Sequence, residues 1–261
     1  MSGQDADDGQ PESDAHAPGG HPDRRQSRRT RARDLVVAAA IGVAVAVVLI
    51  LVSQRSGEDP APRSGEGGLV GVAETRATFV GIPQNGTTLG DPRAPMVLTE
   101  FVDLQCTFCA QAARQVLPGL IETYVRPGRL RLELRTAAFL GSDSVRGAKA
   151  AHAAGRRGLM WNFTELWFYN QGAEGSGYAT DPFVAAIARG AGVDPRLVFD
   201  GIKSPVLAIP LRQAETQARD AKVRITPTFL LGRQPGRGKR IVPRRLTFEA
   251  FQAALEAELR R

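Results

Sequence analysis

Hydrophobic positions are arranged differently in the two parts of the chain. From Leu35 to Val52 every residue is Leu, Val, Ile, Ala or Gly. As a helix, at about 1.5 Å per residue, this run reaches about 27 Å, close to the thickness of a bilayer core. Apolar on all sides, it does not read as an amphipathic helix lying on a domain. Further on, the pattern breaks into shorter segments. Phe79–Leu89 reads as a hairpin turning at Asn85-Gly86. Met96–Val102 is mostly apolar and predicts a buried strand. Arg129–Ala137 sets Leu130, Leu132 and Leu134 against charged neighbours, the period of a half-exposed strand. Thr107–Tyr124 predicts a helix kinked at Pro118, and Pro205–Ala221 another. Residues 143–200 are Ala-rich and helical, with breaks at Gly172–Gly177 and Gly192. Thr226–Leu231 and Lys239–Val242 predict short strands, and Phe248–Leu259 a closing amphipathic helix.

Charge gives the apolar run its direction. The net charge is +7, and residues 24–33 hold six Arg and no acid. The far flank carries only Arg55 and Arg63 beside Glu58 and Asp59. The positive-inside rule then leaves the N-terminus in the cytoplasm and the rest of the chain outside the cell membrane. A cleaved signal peptide would have a shorter core of about 7–15 residues and a small-residue cleavage site, which Ser53–Gly57 does not offer. Nucleic-acid binding is not needed to explain the Arg run, since the adjacent span already does. The expected organisation is a disordered cytoplasmic tail at 1–34, a transmembrane anchor at 35–52, a flexible tether at 53–75 and a soluble domain at 76–261.

The chain holds two cysteines, Cys106 and Cys109, with Thr107-Phe108 between them. They follow the buried strand and open a helix. A thiol there meets free backbone N–H groups and the positive end of the helix dipole, which favour the thiolate. The thiolate is the species that attacks a disulfide. Cys106, expected to be exposed at the turn, reads as the nucleophile, and Cys109, one turn in, as the group that resolves the mixed disulfide. Competing readings are an inert structural disulfide, half of a zinc site, and copper ligation. So short a disulfide loop constrains the unfolded chain little. Zinc needs two more ligands, and the histidines are His16, His21 and His152. Glu100 lies on the strand feeding the pair, either as an exposed carboxylate or as an acceptor for the Cys109 proton. Pro227, after Thr226, is either an edge residue or a cis proline. Trp161, Phe163, Leu166, Trp167 and Phe168 read as core, with one or two at a groove rim, and His152 as a packed helix residue.

Several of these segments resemble the DsbA-like branch of the thioredoxin fold over residues 79–261. The resemblance rests on Leu89-Gly90-Asp91-Pro92-Arg93-Ala94-Pro95, the strand Val97–Val102, and Asp103-Leu104-Gln105-Cys106-Thr107-Phe108-Cys109. It rests also on Ala148–Trp161 with Phe163 and Trp167, and on Val223–Phe229. It implies an α/β thioredoxin-like fold with a helical insertion at about 143–200. It further implies a cis Pro227, a buried Glu100 as proton acceptor, and a substrate site at Thr226, Pro227 and Phe108. The activity implied is disulfide exchange with unfolded or reduced exported proteins, without metal or cofactor, and with an integral membrane quinone-linked oxidase to restore the disulfide. Thr107 stands where many relatives have Pro, Phe108 where the strongest periplasmic oxidant has His, and Ile225 where Gly is usual. These departures bear on the redox poise and not on the fold; without an imidazolium at position 108 the Cys106 thiolate is less stabilised, which implies a weaker oxidant. The rival readings are a reductase or isomerase of exported proteins, and a thioredoxin-fold module that binds metal or protein without turnover.

Overall fold

The computed structural model describes residues 68–260. The apolar run 35–52 and the basic residues before it lie outside the described residues. Among the described residues no helix is long and apolar enough to cross a membrane. A six-stranded sheet organises the domain. Its strands are β1 (Gln84–Asn85), β2 (Thr88–Leu89), β3 (Met96–Val102), β4 (Leu130–Thr136), β5 (Thr228–Gly232) and β6 (Lys239–Ile241), in the order β1-β2-β4-β3-β5-β6. β3 runs parallel to β4, with Leu98 opposite Leu132, and antiparallel to β5, with Leu98 opposite Leu231. A central strand is covered on both faces, which explains its near-continuous apolar sequence. Leu98 and Val102 belong to the main core; Phe101, on the opposite face, packs with Ala218, Val223 and Leu230.

Two expectations near the start of the domain are corrected. A helix, α1 (Val72–Phe79), begins inside the stretch read as tether and ends where the hairpin was placed. Its sequence has little apolar periodicity; Thr75 and Phe79 are its buried residues, so packing against the rest of the domain defines it. The hairpin turn is shifted by one residue. Asn85 pairs with Thr88, so Gly86 and Thr87 form the turn, and Gly86 supplies a φ of 57° that only Gly adopts freely.

The connection from β3 to β4 is α2 (Thr107–Gln115), α3 (Leu117–Leu120) and a π-helical turn at Ile121–Val125. The break falls at Val116, with φ −114°, and Pro118 sits in the first turn of α3. A missing N–H costs nothing there, so Pro118 starts a new helix rather than kinking a long one. The insertion between β4 and β5 comprises α4 (Ser142–Gly155), α5 (Met160–Tyr169), α6 (Asp181–Gly190) and α7 (Pro195–Lys203), followed by a 3₁₀ turn at Pro205–Leu207 and α8 (Ala208–Asp220). Thr180 caps α6 by accepting the Phe183 N–H, and Asp194 caps α7 by accepting the Arg196 N–H. Trp161, Phe163, Leu166, Trp167 and Phe168 are all buried, so none rims a groove. His152 is buried too, its Nε2 3.1 Å from Thr136 Oγ1. α9 (Phe248–Leu259) closes the domain, with Phe251 edge-on to Phe229 of β5 at 4.7 Å.

Candidate active site

β3 ends at Val102, and a three-residue turn carries the chain to Cys106. The turn is fixed from inside. Asp103 is buried, and its carboxylate accepts from Gln105 N (2.8 Å), Ser144 Oγ (2.5 Å), Phe139 N (2.7 Å) and Leu140 N (3.0 Å). Gln105 Nε2 donates to Leu140 O at 2.8 Å, and its Oε1 accepts from Gly175 N at 2.7 Å. Leu104 O accepts from Trp167 Nε1 (3.0 Å), Tyr178 OH (3.0 Å) and Gln171 Nε2 (2.8 Å). Three consecutive residues before the cysteine are thereby bonded to the helical insertion. Gly147 of α4 lets the approach be this close: a Cβ there would lie 2.9 Å from Leu104 Cδ2 and 3.1 Å from Trp167.

Cys106 occupies the N-cap of α2 in extended conformation, and its Sγ accepts the Cys109 N–H at 3.4 Å. It is less open than expected, at 6% exposure, with Thr226 O 3.2 Å from Sγ. The loop before β5 lies over it, a contact far away in sequence. Cys109, at 0%, is fully enclosed. The Thr226–Pro227 bond is cis, as the resemblance implied. Phe108 projects outward at 62% exposure, and Ile225 and Phe139 are exposed around the same site.

The two thiols are driven apart electrostatically. Cys106 falls from 9.0 to about 6. The largest cause is the hydrogen bond from the Cys109 thiol; burial opposes it, and the Thr226 side chain and the backbone N–H groups of Cys109 and Phe108 assist. Cys109 rises well above 9.0, through burial first and then the neighbouring Cys106 sulfur. A donor at Cys109 and an acceptor at Cys106 describe one proton shared toward the inner sulfur.

Glu100 is buried in the middle of β3, facing the main core on the same side as Leu98 and Val102, which rejects the exposed-strand reading. Burial lifts its pKa from 4.5 to about 8. It makes no hydrogen bond to either cysteine. The structure joins it instead to a residue that the sequence reading missed. Glu165, on α5, is 3% exposed and is also lifted to about 8, by burial first and then by the charge of Glu100. The available signal was a lone carboxylate inside the aromatic run Trp161–Phe168.

The family model described as Thioredoxin matches residues 83–257, from the hairpin through α9. The chain belongs to the thioredoxin family. Among curated relatives, it is 30% identical over 104 residues to the probable disulfide bond formation protein D of Bacillus cereus, covering 39% of this chain and 48% of that protein. The aligned stretch thus spans about half the length of that relative. It is 24% identical over 178 residues to the protein of the same name from Bacillus anthracis, covering 67% of this chain and 78% of that one. Among solved structures, oxidised BdbD from Bacillus subtilis superposes with a TM-score of 0.59 at 18% identity, over 69% of this chain and 98% of that one. DsbA of Chlamydia trachomatis gives 0.55 at 20% identity, over 67% and 91%. The fold is therefore the DsbA-like form of the family, with the helical insertion in place.

Proposed function

We propose that this protein is a membrane-tethered, extracytoplasmic thiol–disulfide oxidoreductase that oxidises exported proteins. The observation that carries the reading is the asymmetry of the cysteine pair: a capped, low-pKa Cys106 beside an enclosed, high-pKa Cys109. In the oxidising direction a substrate thiolate attacks Cys106 Sγ of the disulfide. The Cys106–Cys109 bond breaks, and Cys109 leaves and takes a proton. A second substrate thiolate then attacks the substrate sulfur of the mixed disulfide and expels Cys106 as thiolate. The substrate loses two electrons and gains a disulfide; the protein ends as the dithiol. A low-pKa thiol is the better leaving group, so the stabilised Cys106 thiolate favours this direction.

The name shared by the curated relatives, disulfide bond formation protein, supports the same chemistry. The Thr226–Pro227 backbone holds an extended substrate beside Cys106, with exposed Phe108 as an apolar contact. Buried Glu100 on β3 serves as the carboxyl that exchanges a proton with Cys109. The apolar run 35–52 with its preceding Arg cluster supports the tether and the outward-facing domain. An integral membrane oxidase would restore the disulfide.

The test is the equilibrium potential of the pair against glutathione, with Cys106→Ser as control, together with thiol trapping in intact cells. An oxidant gives a potential above about −200 mV and a pair found mostly as disulfide. A pair held mostly as dithiol would replace this reading with that of a reductase.

A further inference from the structure

A pocket of about 430 Å³ lies between the β4–α4 connection and the end of α8. Its apolar lining includes Phe139, Ala218 and Val223, and its charged lining Glu215, Arg219, Lys222 and Arg224. Both of its walls lead along the chain to the active site. Phe139 N is bonded to Asp103, three residues before Cys106. Val223 and Arg224 lead directly into Thr226, whose carbonyl touches Cys106 Sγ. The volume has room for a side chain or two of an extended segment.

We propose that this pocket selects substrates carrying an acidic side chain near the reacting cysteine. The proposal rests on the oxidoreductase reading above and names the class of segment it acts on.

The charge balance favours an acidic occupant. Among the described residues Arg219, Lys222 and Arg224 make no ion pair. Glu215, one helical turn before Arg219, is the acid in the lining; it makes no ion pair either, and Arg219 Nη2 donates to Thr216 Oγ1 at 3.4 Å. Lys222 and Arg224 have no such neighbour in the pocket. They leave positive charge over an apolar floor, where an aspartate or glutamate gains attraction and its stem gains cover.

The backbone at Lys222 supplies a variant for the test. Its φ is 51°, the positive φ among the described non-glycine residues. It follows α8 where the Val223 N–H returns to Ala218 O at 2.8 Å, the helix-ending turn that ordinarily takes Gly. Gly would adopt this conformation more easily, so Lys222→Gly removes the ammonium without straining the turn.

The test uses the full-length protein in its oxidised form and two synthetic dithiol peptides. They differ only in carrying Glu or Gln four residues from the first cysteine, and rates are expressed per thiolate. In each reaction the peptide forms an internal disulfide and the protein becomes the dithiol. The acidic peptide is expected to react about tenfold faster at low salt, with the ratio collapsing in high salt. The same collapse is expected in Lys222→Gly combined with Arg224→Gln. Lys222→Gly relieves the left-handed backbone, so its melting temperature should not fall and lost selectivity would not reflect unfolding. Equal rates for the two peptides would overturn the pocket assignment while leaving the oxidoreductase intact. A preference that survives in the double variant would overturn it as well. If neither peptide is oxidised, the oxidoreductase reading fails, and the substrate assignment with it.

Discussion

Glu165 on α5 feels the charge of Glu100 on β3 inside the main core, and burial lifts both carboxyls to about 8. Neither carboxyl has a hydrogen-bond partner among the described residues, so burial dominates both shifts. A carboxyl whose folded pKa is raised above its unfolded value adds stability that is fully present below about 4.5 and lost as pH rises through about 8. Glu165→Gln is expected to remove that loss. In urea titrations the variant should be more stable than the parent at pH 8, by up to about 4 kcal/mol, with the advantage shrinking toward pH 4.5. A difference that does not vary with pH would mean that Glu165 titrates as an ordinary surface acid.

Cys106 obeys the opposite sign. Its folded pKa is depressed from 9.0 to about 6, so the reduced protein gains stability between about pH 6 and 9 and loses it as pH falls through 6. Two measurements read this. Alkylation of the dithiol form should titrate with a midpoint near 6 and modify Cys106, while Cys109 stays unmodified. The melting temperature of the reduced form should rise relative to that of the disulfide form across the same window. A midpoint near 9 would remove the basis for calling Cys106 a good leaving group.

Much of this architecture was legible because it rests on local rules. β3 reads as apolar because both faces are covered, β4 alternates, and Phe248–Leu259 keeps an amphipathic period. Cys106 and Cys109 could be placed at a helix start because the strand before them ends in a turn. What escaped depends on contacts far apart in sequence. α1 has little apolar period of its own. Cys106 is covered by a loop 120 residues away, which no local pattern announces. The bond from Ser144 to Asp103 spans 41 residues, and Glu165 is hidden among aromatics whose burial carries it inside.

The Asp103 carboxylate offers a separate test of how rigidly the turn holds the thiol. Asp103→Ala leaves the Gln105, Phe139 and Leu140 N–H groups and the Ser144 hydroxyl without their acceptor. Orphaned buried donors cost about 1–3 kcal/mol each before relaxation, so a loss of about 3 kcal/mol in chemical denaturation is expected. Cys106 N also bonds to Asp103 O at 3.0 Å, so loosening the turn should slow disulfide exchange in the fraction that remains folded. An unchanged unfolding midpoint would show that the turn is held mainly through Leu104 and Gln105.

The donors around Cys106 should be separable by rank. The Cys109 thiol is the largest stabiliser of its thiolate, ahead of the Thr226 side chain. Cys109→Ala should therefore raise the Cys106 alkylation midpoint further than Thr226→Val, and both should move it toward 9. Thr226→Val keeps the backbone carbonyl that touches Sγ and removes only the hydroxyl, so its effect isolates the side chain. Since a more basic thiol leaves a mixed disulfide more slowly, Thr226→Val should also slow release of oxidised substrate. The reverse order of midpoints would place the control of the thiolate in the loop before β5 rather than within the cysteine pair.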